Sequence, residues 1–293
     1  MNIAPARRRH TGSWVLLLTR SSLAHPFYFS KDAMLGSMKI VRFRIDANPI
    51  YGALEDDSER IVALKGDPLF QKVEPSGQLY NLEEARLLSP VIPRSKAVSC
   101  CANLAGSAGG VGQWPQVAIK PNTSVIGPDD PVAIPAWGGS TARAFVGLAA
   151  VAKTICKNVT PEQVGSLIAG WTIGIDFASE GEDISFSQGR AWDTSAVIGP
   201  WIVVDPGFNP DDVTISANVS EQEVARANSG EFPVKAAEVF AKVSAMMTLL
   251  PGDVVIVGGI ELPQSLRAGQ HLETTITGVG QMENMVVSAG GGE

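Results

Sequence analysis

The residues able to do acid–base, nucleophilic or metal chemistry are few and widely spaced. The three histidines are His10, His25 and His271, so none lies between His25 and His271. General acid–base catalysis needs a titratable group within hydrogen-bond reach of the substrate, and the middle of this chain has no histidine to supply it. Carboxylates are also sparse: none between Glu84 and Asp129, and none from Pro131 to Pro161. Beyond that gap stand Asp176 and the group Glu180, Glu182 and Asp183. The latter reads either as an ion site or as a solvated acidic loop. Two cations flank the gap, Lys120 and Arg190. A guanidinium grips a carboxylate with two donors, whereas an ammonium acts as a point charge. A solvated loop lysine and an Arg190–Asp193 ion pair are the plainer readings of the two. Cys100 and Cys101 are possible nucleophiles, but a thiol needs a base or a lowered pKa. The run Gly106, Gly109, Gly110, Gly112 lacks the Gly-Lys-Ser/Thr ending of a phosphate-binding loop. It reads as a flexible loop or a small anion nest. His271 follows an Arg-Ala-Gly turn and reads as structural.

These residues have to be positioned by a chain of 293 residues, 45% hydrophobic and 18% charged, long enough for a sizeable core. No apolar run reaches the ~18 residues of a membrane span, so a soluble body without membrane contact is expected. Residues 1–31 hold five basic residues and no acid, leaving 18 basic against 30 acidic residues in the rest, a net of −12. Such a body does not attract nucleic acid. Three cysteines cannot all pair within the chain, which points to free thiols in a reducing compartment, the cytoplasm. An organelle matrix, reached through the basic N-terminal segment, is the alternative.

Residues 1–37 read as a basic extension outside the folded body. From Met38, Lys39–Arg44, Ile50–Leu54 and Arg60–Leu64 alternate like strands of a small β-meander. A Pro-containing linker near residue 95 then separates a small N-terminal β domain, 38–95, from a larger domain, 96–293. In the latter, Val132–Ile134, Val146–Ala152, Leu167–Ile175, Trp201–Val204, Val213–Ala217, Val254–Val257 and Leu272–Ile276 are strand candidates. The best helix runs from Pro233 to Leu249, with apolar positions at roughly 3.6 spacing. Strands without regular βα alternation argue for a β-rich α+β fold.

Seven segments, in order, resemble the fumarylacetoacetate hydrolase family. They are SPVIPRSKAVSCCANLAGSA (89–108), AIKPNTSVIGPDDPVAIP (118–135), LAAVAKTICKNVTPEQV (148–164), GWTIGIDFAS (170–179), GRAWDTSAVIGPWIVV (189–204), VSAMMTLLPGDVVIVGG (243–259) and LRAGQHLETTITGVGQMENMVV (266–287). The resemblance implies a mixed β-sandwich roll with a small N-terminal β domain, usually in a homodimer. It also implies chemistry on 2-oxo or 1,3-dicarbonyl acids, commonly with Mg²⁺ or Mn²⁺.

Matched residue by residue, most of that machinery is missing. The family's metal glutamates fall on Phe145 and Gly147, neither of which is a ligand, and only Asp176 remains as the third. The family's histidine falls on Ser107, and no acid lies near enough in sequence to serve as its glutamate partner. Lys120 matches the family's active-site lysine, and Arg190 stands where many members have lysine. An Arg143–Asp176 ion pair is one way to replace the metal. Lys120 and Arg190 are expected to face one cavity as the catalytic pair. Asn103, Ser107 and Gly259 join them as contacts to a small carboxylate or 2-oxo acid, and no tightly bound metal is expected. Two functions follow. One is a metal-independent tautomerase, decarboxylase or C–C bond hydrolase. The other is a catalytically inactive relative acting as a ligand-binding or structural subunit, with an active paralogue.

Overall fold

The computed structural model describes residues 37–46, 48–55, 59–105 and 116–290. The expected N-terminal extension and the Gly-rich run with Ser107 therefore lie outside the described residues. An N-terminal meander comprises β1 (Met38–Arg44), β2 (Ile50–Glu55), β3 (Arg60–Leu64) and β4 (Pro75–Asn81). Then come β5 (Arg86–Leu88), β6 (Lys96–Ser99), β7 (Ala118–Pro121), β8 (Val125–Ile126), β9 (Val132–Ile134) and β10 (Thr141–Ala152). Helix α1 (Pro161–Leu167) leads into β11 (Ile168–Ser179), β12 (Ala196–Val204), β13 (Thr214–Val219) and β14 (Gln222–Asn228). Helix α2 (Ala236–Met246) precedes β15 (Val254–Glu261), β16 (Leu266–Arg267), β17 (His271–Ile276) and β18 (Gly280–Ser288).

The larger sheet runs β4-β3-β2-β1-β12-β11-β10-β15-β6-β7, and the smaller β14-β13-β17-β18-β9. The meander joins the larger sheet through β1, which pairs with β12 at Met38–Val204. This is the expected β-rich α+β fold. Its centre is β10, buried along almost its whole length. Successive side chains of a strand point to opposite faces. Accordingly Ala144, Val146, Leu148 and Ala150 enter the main core, while Ala149 and Val151 enter a second one with Ile40, Ile198 and Ile256. A strand covered on both faces reads as a continuous apolar run.

The expected helix is present but shorter, Ala236–Met246, with Lys235 and Met247 already extended at its ends. Helix α1 was not expected. Its signal is a capping box, in which the Thr160 amide donates to Gln163 Oε1 at 2.9 Å and Pro161 opens the first turn. Near the linker, Asp253 ties β15 to β6. Its buried carboxylate accepts from the amides of Ser95, Lys96 and Leu250, from Ser95 Oγ and from Lys96 Nζ, all at 2.7–3.2 Å. None of the helices among the described residues is long and apolar enough to cross a membrane.

Candidate active site

Two strands and one 3₁₀ turn bring Lys120, Asp176 and Arg190 together. Asp176 lies on β11 opposite Phe145 of β10 and Ala196 of β12. Lys120 comes from β7, at the far end of the sheet order, and Arg190 from the 3₁₀ turn Gln188–Arg190. Lys120 and Asp176 are fully buried, and Arg190 is 6% exposed. Asp176 Oδ1 lies 2.7 Å from Lys120 Nζ, and its Oδ2 accepts from Arg190 Nη1. Four further oxygens lie within hydrogen-bond distance of the same ammonium: Phe177 O at 3.0 Å, Arg190 O at 2.7 Å, Ser195 O at 2.9 Å and Ser195 Oγ at 3.1 Å. Asp176 Oδ1 supplies the ammonium with its counter-charge. Burial pushes the Lys120 pKa down, Asp176 beside it opposes that, and Arg190 adds to the lowering.

Arg190 is gripped differently. Its guanidinium carbon sits 4.4 Å from the Phe145 ring centroid and 4.9 Å from that of Phe186. Asp176 is its side chain's hydrogen-bond partner among the described residues. The other donor edge is left without one, and 8% of the side chain remains exposed. Two cations against one carboxylate leave a net positive charge, which the carbonyl dipoles around Lys120 offset in part.

Several expectations need correction. Arg143 pairs with Glu261 of β15, not with Asp176. Glu261 is the register partner of Phe145, and both oxygens of Asp176 are already faced by Lys120 and Arg190. Arg190 likewise pairs with Asp176 and not with Asp193. Lys120 does not look into a cavity, because its ammonium is enclosed by protein oxygens. Asn103 is 3% exposed, and its amide is fully used. It donates to Val234 O and Val257 O and accepts from Val234 N, clipping β15 to the entry of α2. Gly259 forms a backbone bridge with Leu104.

Next to Phe145 is a cavity of about 10 Å³, bordered by Ser99, Cys101, Leu104, Gly147 and Gly259. That is room for about one water. The two thiols beside it are free and buried. Burial pushes both pKa values up, and at Cys101 this outweighs the lowering by nearby Arg190. Neither is a ready nucleophile. Glu180 accepts from Thr141 at 3.2 Å in an exposed loop with Glu182 and Asp183. His271 meets Glu283 at 2.6 Å on the smaller sheet, at the surface.

The donor set does not suit a divalent metal. Among the described residues no three His, Cys, Asp or Glu side chains group as a metal site. Position 145 is an aromatic ring, and both oxygens of Asp176 face cations. Position 147 cannot hold a side chain, since a Cβ on Gly147 would lie 2.0 Å from Gly258 O. Sequence reasoning missed Phe186 and Ser195, which hold the two cations. Neither carries a signal before the turn around Arg190 is folded.

The comparisons with known proteins agree with this architecture. The family model described as Fumarylacetoacetate (FAA) hydrolase C-terminal matches residues 100–287, and the Rv2993c-like N-terminal model matches residues 38–90. Protein Rv2993c of Mycobacterium tuberculosis is 31% identical over 82% of this chain and 93% of its own length. The structure of 5-carboxymethyl-2-hydroxymuconate delta-isomerase from Mycobacterium smegmatis superposes with a TM-score of 0.77 at 27% identity. It covers 86% of this chain and 100% of the other. Maleylpyruvate hydrolase from Sphingobium sp. SYK-6, in complex with manganese(II) and pyruvate, shares the fold at TM-score 0.70 and 22% identity, over 86% of this chain and 99% of its own.

Proposed function

This chain belongs to the fumarylacetoacetate hydrolase family, and from that premise we propose that it binds a small 2-oxo or dicarbonyl acid through Arg190, without a divalent metal. The observation that carries this reading is the state of the Arg190 guanidinium. Two aromatic rings fix its plane, Asp176 holds one donor, and the remaining donor edge has no hydrogen-bond partner among the described residues. A guanidinium fixed in this way is pre-organised for a carboxylate. Its charge would also favour the enolate of a dicarbonyl acid over the neutral ketone, the step a tautomerase or decarboxylase accelerates. Lys120 is the foundation under Arg190 and does not touch the ligand. Water activation by a histidine–carboxylate pair is not part of this reading, since His271 lies on the smaller sheet.

Titration calorimetry with oxalate, pyruvate and oxaloacetate tests the proposal. Arg190→Ala leaves Asp176 paired one-to-one with Lys120, so the fold should persist while the anion contact is lost. One charge-assisted contact is worth about 2 kcal/mol, or roughly 30-fold in affinity. Equal affinity in both proteins, or no binding at millimolar ligand, sinks the reading. The second outcome would favour a catalytically silent structural subunit. The assembly proposed with either role is a cytoplasmic homodimer with a small N-terminal β domain over 38–95. Light scattering giving the mass of one chain at micromolar concentration would contradict the dimer.

A further inference from the structure

Among the described residues, the polar partners of Lys120 Nζ are all oxygens: three backbone carbonyls, the Ser195 hydroxyl and Asp176 Oδ1, all 2.7–3.1 Å away. The hydroxyl donates onward to Arg190 O at 3.1 Å, which turns a lone pair toward the ammonium. Four of the five oxygens are uncharged. They come from β11, the turn ending at Arg190 and the turn before β12, so the cage belongs to other parts of the chain than β7, which supplies its occupant. Mg²⁺ and Ca²⁺ take oxygens at about 2.0–2.6 Å and prefer several carboxylates. Distances near 2.9 Å with mostly neutral donors suit a larger monovalent ion.

We propose that these oxygens form a monovalent-cation cage in which Lys120 is the tethered occupant, and that a chain lacking this side chain takes up ammonium or potassium in its place. The proposal stands on the cage alone and holds whether or not Arg190 binds a carboxylate. Losing the occupant leaves three buried carbonyls and a carboxylate oxygen without a cation. A free ion of matching size restores the same contacts and stabilises the folded chain by mass action.

The test is the melting temperature of wild type and Lys120→Ala in ammonium, potassium, sodium, lithium and tetramethylammonium chloride at equal ionic strength, with no organic acid present. The variant should melt below wild type. Ammonium and potassium alone should then raise it by roughly 3–6 °C at ten times their dissociation constant, with saturation. Wild type should not distinguish the five salts. The proposal is overturned if the variant melts alike in all five, or if wild type shows the same selectivity. If Lys120→Ala does not fold, the wild-type ¹⁵N spectrum of the lysine side chains decides. The cage predicts one slowly exchanging side-chain ammonium that is missing after conservative Lys120→Arg replacement. A spectrum in which every lysine amine exchanges rapidly overturns it.

Discussion

Replacing Asp176 with asparagine should be far more damaging than its single-atom change suggests. The carboxylate, itself fully buried, faces Lys120 on one oxygen and Arg190 on the other. Asparagine keeps the volume but leaves two cations buried together without a counter-charge. Removing one partner of a buried ion pair costs about 3–5 kcal/mol, and each kcal/mol moves the melting temperature of a large domain by roughly 2–4 °C. The variant should therefore melt roughly 6–20 °C below wild type, by circular dichroism or calorimetry at pH 7. The pH response has a definite sign. Without Asp176 to oppose burial, Lys120 has a folded-state pKa further below its unfolded value. The unfolded chain then binds more protons between those two values, and the folded variant gains stability as pH rises. The gap to wild type should narrow between pH 7 and pH 10. A second change, Lys120→Met in the Asp176→Asn background, removes one orphaned charge and should recover part of the loss. A melting temperature for Asp176→Asn within about 1 °C of wild type at pH 7 would refute the reasoning, since a shift that small is well under one kcal/mol for a domain of this size.

Asp253→Asn should weaken the β6–β15 tie by about 3 kcal/mol, read by urea denaturation. Burial pushes the Asp253 pKa up, but hydrogen bonds from Leu250, Lys96 and Ser95 outweigh it and hold the pKa below the usual range. Its stabilisation is thus present above an unfolded pKa of about 3.9 and lost as pH falls through the depressed value, so the variant's acid-unfolding curve should be shallower than wild type's. Gly147→Glu should not restore a metal site. Its Cβ would collide with Gly258 O at 2.0 Å, so elemental analysis after dialysis against Mn²⁺ should find no added equivalent and the melting temperature should fall. Asn103→Ala should cost about 2–3 kcal/mol by orphaning the Val234 amide and two buried carbonyls. Its oxalate affinity should match wild type, and a selective loss of affinity would return Asn103 to the ligand site.

The sheet was largely legible in the sequence because its strands carry strong local signals. Val132–Ile134 and Arg60–Leu64 coincide with β9 and β3, the expected β10 and β17 start late, and the expected β13 starts one residue early and stops two short. Strand ends are set by pairing partners, which no local pattern reveals: Thr141 and Ala142 are held by β16, a two-residue strand. β14 has mostly partly exposed residues and lacks a clear alternation. At the site, the ordered motifs picked out Lys120, Asp176 and Arg190, three side chains that the fold brings into contact. What they do with one another was not legible. Whether Asp176 pairs with Arg143 or Arg190 depends on which side chain reaches across the sheet face, and Phe145 and Glu261 decide that only after β10, β11 and β15 are in register. Lys120 reads in sequence as a loop cation, and only the folded turn at Ser195 shows it enclosed.

The most direct test of the central claim, that protein cations have replaced a metal at Asp176, is an anomalous difference map at the manganese edge. It would be collected from crystals grown with millimolar Mn²⁺. The account predicts no anomalous peak within coordination distance of Asp176, with ammonium density on one carboxylate oxygen and guanidinium density on the other. A manganese peak bound to Asp176, with Lys120 or Arg190 swung away, would contradict it.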